Sequence, residues 1–155
     1  MAKTDAVRPV YLDANCFIDW AQGAETAHAV QSWLHAAVKG QVQLLTSTLT
    51  LAEARGDGRA TDVEERRQRI RKVLLDPCIN LVEVTRRVGL IANDITVDRP
   101  RIRGADAAHL ACAIYAKADI FLTRNFRDFE SGDVYQGVKF QLPYRYGGDG
   151  LFDVV

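Results

Sequence analysis

The chain reads as an α/β protein of three layers (α/β/α), with a central parallel sheet of four to five strands sandwiched between helices. Three observations predict it. Short apolar runs of strand length alternate with segments of helical periodicity along almost the whole chain. One of those runs, Ile120-Phe121-Leu122, is apolar without alternation, as a strand covered on both faces must be. Finally, 155 residues with 48% hydrophobic content are enough to bury the core that such layers share.

The elements follow in order. Residues 10–12 form a short strand whose apolar run stops at the polar pair Asp13 and Asn15. A helix over residues 25–39 places Val30, Trp33, Leu34, Ala37 and Val38 at helical spacing, and Gly40 sits where a C-terminal cap belongs. Residues 42–46 are a second strand. Residues 47–54 read as a helix opening on the Ser47 hydroxyl, and Gly56-Asp57-Gly58 breaks the chain before a charged helix over residues 62–75, closed by Asp76-Pro77. A third strand covers residues 79–84. Thr85 then caps a helix with Val88, Ile91 and Ile95 on one face. The loop over residues 98–104 contains Pro100, which excludes a helix interior. An alanine-rich helix over residues 105–118 leads to a fourth strand at 119–123, and residues 138–142 supply the fifth. Helices between strands imply parallel pairing and right-handed crossovers. We expect a single domain over residues 1–155, with its core at 10–142 and a loose tail at 143–155.

Composition excludes several classes. No segment approaches the roughly 20 apolar residues of a membrane span and the N-terminal stretch lacks a signal-peptide core, so the expected location is the cytoplasm. Cys16, Cys78 and Cys112 are odd in number and far apart, which argues against disulfides or a zinc site and for small buried hydrophobes. Twenty basic and twenty acidic residues cancel, so bulk attraction to nucleic acid is not expected. The distribution is more informative, because 15 of the 20 basic residues are arginine. Arg66, Arg67, Arg69, Arg71 and Lys72 lie near Asp62, Glu64 and Glu65 at i to i+3 and i+4 spacing and read as a solvated helix face. Arg99, Arg101 and Arg103 lie in the Pro100 loop leading to Asp106, where guanidinium forks could hold phosphate.

Acids mark the ends of these elements. Asp13 and the segment from Thr123 to Asn125 lie at the carboxyl ends of strands, where open parallel sheets gather ligand sites. Glu53 lies in the helix after the second strand, and Asp106 in the first turn of a later helix. Carboxylates spread along a chain but gathered by a sheet make an all-oxygen site for Mg²⁺ or Mn²⁺, the chemistry of phosphodiester cleavage. Each has a plainer reading: Asp106 and Asp128 as helix caps, Glu53 as surface helix, Thr123 and Asn125 as turn formers. Asp13, among apolar neighbours, resists such a reading. His109 reads as a packed or hydrogen-bonded histidine, His28 and His35 as surface, and Trp20 and Trp33 as packing.

Four segments in this order carry a family resemblance: Val10-Tyr11-Leu12-Asp13-Ala14-Asn15-Cys16-Phe17-Ile18, Thr48-Leu49-Thr50-Leu51-Ala52-Glu53, Ala105-Asp106-Ala107-Ala108-His109-Leu110-Ala111-Cys112-Ala113, and Leu122-Thr123-Arg124-Asn125-Phe126-Arg127-Asp128-Phe129. Together they resemble the signatures of PIN-domain ribonucleases, most closely the VapC type, the toxins of bacterial and archaeal toxin and antitoxin pairs. The resemblance implies a PIN-like fold and a Mg²⁺- or Mn²⁺-dependent endoribonuclease. It implies that Asp13, Glu53, Asp106 and an acid of the fourth segment hold the metal. Asp128 matches a recurrent Asp there, whereas Asn125 stands where the family often has Asp. Asn15, Thr123 and Asn125 become supporting polar groups, and Arg124, Arg101 and Arg103 the contacts to RNA phosphates. A homodimer and a cognate antitoxin complete the expectation. The competing class is a catalytically inactive PIN-like module that binds RNA or protein. A dehalogenase-type phosphatase would need Asp where Asn15 stands, and neither a phosphate-cradling glycine loop nor a receiver's paired acids are present.

Overall fold

The computed structural model describes residues 8–55 and 62–147. Its order is β1 (Pro9–Leu12), α1 (Ala14–Gln22), α2 (Ala27–Val38), β2 (Gln43–Ser47), α3 (Thr48–Glu53), α4 (Val63–Leu74), β3 (Ile79–Val82), α5 (Arg86–Asp98), α6 (Ala105–Tyr115), β4 (Ile120–Leu122), β5 (Val134–Tyr135) and β6 (Val138–Gln141). Strands lie in the order β3-β2-β1-β4-β6-β5, parallel except where β5 meets β6. The three-layer α/β/α fold is that expected, with a sheet of six strands instead of four to five. The added strand is two residues long and returns through Gln136 and Gly137, both at positive φ. No described helix is long and apolar enough to cross a membrane.

Strand alternation sorts the core between the faces. Val10, Leu12, Leu44 and Leu122 point toward α1, α2 and α4, where Phe17, Val30, Trp33 and Ile70 meet them. Tyr11, Leu45, Phe121 and Phe140 point the other way, toward Val88 and Ile95 of α5 and Leu110 of α6. Tyr11 pairs in register with Leu45 on one side and Phe121 on the other. This places the ends of β1 and β4 side by side in the middle of the sheet.

Cap chemistry follows the predicted residues at Ser47 and Thr85, whose side chains accept from the Leu49 and Val88 amides. Gly40, at φ 72°, follows α2 in the left-handed conformation that ends a helix. Helix α1 is an element that the apolar periodicity did not announce; it starts because Asp13 caps it, accepting from the Ala14 amide, and it ends on Gly23 at φ 66°. The tail is not loose as far as it is described: Tyr144 is buried, edge-on to Trp33, and its carbonyl accepts the Trp33 indole N–H. The predicted break at Gly56-Asp57-Gly58 and the tail beyond 147 lie outside the described residues.

Candidate active site at the carboxyl edge of the sheet

At the end of β1, Asp13 is 4% exposed, and each carboxylate oxygen has its own partners. Oδ1 accepts the Ala14 amide at 2.8 Å. Oδ2 accepts the Thr123 hydroxyl at 2.9 Å and the Asn15 amide at 3.2 Å. The Asn15 amide also reaches Thr123 Oγ1, and Asn15 Oδ1 accepts the Arg124 backbone N–H. Asn15 and Thr123 thus hold Asp13 and lash β1 to β4. Burial raises the Asp13 carboxyl above its ordinary range, against the lowering pull of His109, Thr123 and the Ala14 amide.

The second pole comes from α6 and the loop after β4. Asp106 does not cap its helix, whose N-cap is Gly104 at φ 58°; it projects from the first turn. One Asn125 amide nitrogen spans Asp106 Oδ2 at 3.2 Å and Asp128 Oδ2 at 3.0 Å. The loop that carries Asn125 and Asp128 is anchored by Phe129, which stacks on Phe121 at 4.9 Å and meets Phe140 edge-on. Burial, then repulsion by Asp13 and Asp128, pushes the Asp106 carboxyl up to about 6. Glu53 ends α3, and its Oε2 lies 2.8 Å from His109 Nε2. The same nitrogen stands 3.7 Å from Asp13 Oδ1.

All four predicted acids therefore face one edge of the sheet, joined pairwise, Asp106 to Asp128 through Asn125 and Glu53 to Asp13 through His109. Among the described residues, no three His, Cys, Asp or Glu side chains are drawn together tightly enough to hold one metal ion. The donor set nonetheless fits a hard divalent cation. It is all oxygen, and the Asp106 carboxyl is raised in part by mutual repulsion of acids, the charge imbalance a cation would relieve.

The arginines divide. Arg101 and Arg103, with Pro100, Arg127 and Asp128, line an open cleft of about 400 Å³ beside the acidic edge. Arg124 is 57% exposed, and its Nε is held at 2.6 Å by Asp19, which is buried and also accepts the Thr26 hydroxyl. Arg67 pairs with Glu64 on the solvated face expected, whereas Arg66, 3.3 Å from Asp62, is turned inward with its side chain only 13% exposed. Arg69 instead lies over the Trp20 ring. His28 and His35 are exposed. Sequence reasoning missed Asp19, Arg127 and the Tyr11 partner of His109. Position 127 could have been found as a basic residue beside Asp128; the other two depend on contacts across the chain.

A sheet of parallel central strands with carboxylates at its carboxyl edge defines an α/β/α domain of the acid-site class. The sequence matches the PIN domain over residues 10–133, and the chain belongs to the PIN domain family. Its fold is similar to that of a toxin-antitoxin complex from Klebsiella pneumoniae, at 22% identity and a TM-score of 0.62, over 88% of this chain and 98% of that one. It is likewise similar to VapBC2 from Rickettsia felis bound to a DNA fragment from their promoter, at 13% identity and a TM-score of 0.62, over 86% of this chain and 98% of that one. These likenesses concern the fold. No curated protein matches in sequence.

Proposed function

We propose that the protein is a VapC-like toxin, an endoribonuclease that hydrolyses RNA phosphodiesters with Mg²⁺ or Mn²⁺. The observation that carries this reading is the gathering of Asp13, Glu53, Asp106 and Asp128, from four separate segments, at one edge of the sheet. Asp13, Asp106 and Asp128 would hold the cation, with Glu53 as ligand or as the base that takes the attacking water's proton. A bound divalent ion supplies Lewis-acid polarisation of the phosphate and a more acidic water. Thr123 and Asn15 orient Asp13, and Asn125 spaces Asp106 from Asp128. Arg101, Arg103 and Arg127 take the phosphates of a single strand as it passes Asp128, and Arg124, held by Asp19, stands at the rim. Exposed Leu90 and Val97, seven residues apart on α5, support a homodimer face. The toxin-antitoxin likeness in fold supports a cognate antitoxin as partner.

The pairwise bridging of the acids, with an amide at Asn125, favours a second reading, a PIN-like module that binds without cutting. Incubating a tRNA and rRNA panel with Mg²⁺, Mn²⁺ or EDTA separates the two. Metal-dependent cuts that fall by about 10²- to 10⁴-fold in Asp13→Asn and Asp106→Asn support the nuclease. RNA left whole by folded, Mn²⁺-loaded wild type supports the module.

A further inference from the structure

Behind the acids lies a hydrogen-bonded line from Tyr11 through His109 to Glu53, whose first two members are buried and unused by the proposed chemistry. His109 is 1% exposed, and both ring nitrogens are engaged: Nδ1 with the Tyr11 hydroxyl at 2.7 Å and Nε2 with Glu53 Oε2 at 2.8 Å. An imidazole occupied on both sides is not available to ligate a cation. A carboxylate oxygen only accepts, so the imidazole proton sits on Nε2 and points at Glu53. Nδ1 is then the acceptor and the Tyr11 hydroxyl its donor. Tyr11 cannot swing away, because its ring is stacked on Phe121 at 5.3 Å and 7°.

The line ties together the elements that bear three of the acids. Tyr11 and Asp13 are two residues apart across the end of β1; His109 and Asp106 are three apart on α6. Glu53 ends a helix of six residues in which Thr50 alone is buried. So short a helix has little packing of its own to orient its last side chain.

We propose that His109 is a positioning residue, fixed by Tyr11, that sets the Glu53 carboxylate against Asp13 for a divalent cation. The inference rests on the metal-dependent reading of the site and deepens it. Its energetic sense is that of outer-shell hydrogen bonds in metal sites, whose loss costs about 10- to 100-fold in metal affinity or activity.

The test is Mn²⁺ affinity of the whole protein without RNA, by calorimetry, for wild type, His109→Gln, His109→Phe, Tyr11→Phe, Glu53→Gln and the His109→Phe, Glu53→Gln double variant. We expect His109→Phe to weaken Mn²⁺ by about 10-fold or more. His109→Gln, whose amide N–H can still reach Glu53, recovers most of it. On the Glu53→Gln background His109→Phe adds less than about twofold, because the carboxylate it positions is gone. A folded His109→Phe that binds Mn²⁺ like wild type overturns the inference, as does a loss that persists undiminished without the Glu53 carboxylate. If His109→Phe does not fold, Tyr11→Phe decides: a loss of about 3-fold or more sustains the inference and unchanged affinity overturns it. RNA cleavage is scored separately, so Mn²⁺ binding with this pattern and no cutting sinks the nuclease reading alone. Wild type that does not bind Mn²⁺ sinks both.

Discussion

Asp13, at the end of β1, is 4% exposed and accepts three hydrogen bonds, from the Ala14 amide, Thr123 and Asn15. Asp106, in the first turn of α6, is partly exposed and, among the described residues, takes a side-chain bond from Asn125 alone. The first acid is built into the sheet with a donor on each carboxylate oxygen, as burial of a carboxylate requires, and burial still raises it. The second shares a single amide with another carboxylate, Asp128, and stays under-compensated. One pole thus serves as foundation, holding two strands together while it presents an oxygen. The other carries repulsion between acids on top of its burial, an imbalance that a cation would relieve.

The strongest way to break this contrast is to remove the hydroxyl on which the first pole depends. Thr123 Oγ1 donates to Asp13 Oδ2 and accepts from the Asn15 side chain and the Asn125 backbone. Thr123→Val keeps the shape and leaves a buried carboxylate and two N–H groups short of a partner. We expect a loss of about 1–3 kcal/mol in urea unfolding of the metal-free protein. A loss within about 0.5 kcal/mol would mean that Asp13 is not a foundation.

A smaller effect of opposite sign is expected at the second pole. Asp106 titrates at 3.8 when unperturbed and at about 6 in the native protein. The native state therefore holds its proton more tightly than the unfolded chain, so the destabilisation develops as pH rises from about 4 to 6 and is complete above 6. Asp106→Asn removes it. In EDTA at pH 7.5 the variant should melt about 2–4 °C higher than wild type, a modest gain because water screens this partly exposed group. The difference should shrink as pH falls through 6 and vanish near 4. A variant less stable at pH 7.5 would show that Asp106 is compensated after all.

The two poles also differ in how plainly the sequence announces them. Asp13 follows an apolar strand, and Asp106 and Glu53 sit in segments whose helical character is evident, so their convergence follows from parallel topology alone. Helix α1 was hidden because the residues after Asp13 include Asp19, an acid turned inward; its partners, Thr26 and Arg124, are supplied by tertiary structure. The hydrogen bond from Tyr11 to His109 spans 98 positions and has no local signature. Strand β5 is two residues long, shorter than any periodicity can register. Tyr144 sits in a tail with glycines at 147, 148 and 150, and its burial comes from the edge-on contact with Trp33, a partner 111 positions away.

The smallest predicted effect extends the second pole outward. Arg127 lies in the loop anchored by Phe129 and lines the same cleft as Arg101 and Arg103 from the loop before α6. Three guanidinium groups beside one carboxylate make a groove whose charge suits a phosphate chain, while Asp128 marks where that chain would meet the acids. A contact of this kind is electrostatic and indifferent to sequence, so its removal should weaken all single strands alike. For metal-free protein binding a labelled single-stranded RNA, Arg127→Ala should lower affinity by less than about tenfold at moderate salt. The slope of log affinity against log salt should shrink by about 0.7, the release of one phosphate's counterion. Arg145→Ala, beside His28 and His35 in a separate pocket, is the control and should leave the slope unchanged. If both variants keep the wild-type slope, the strand does not run past Asp128, and the arginine cleft belongs to a different partner from the acids it borders.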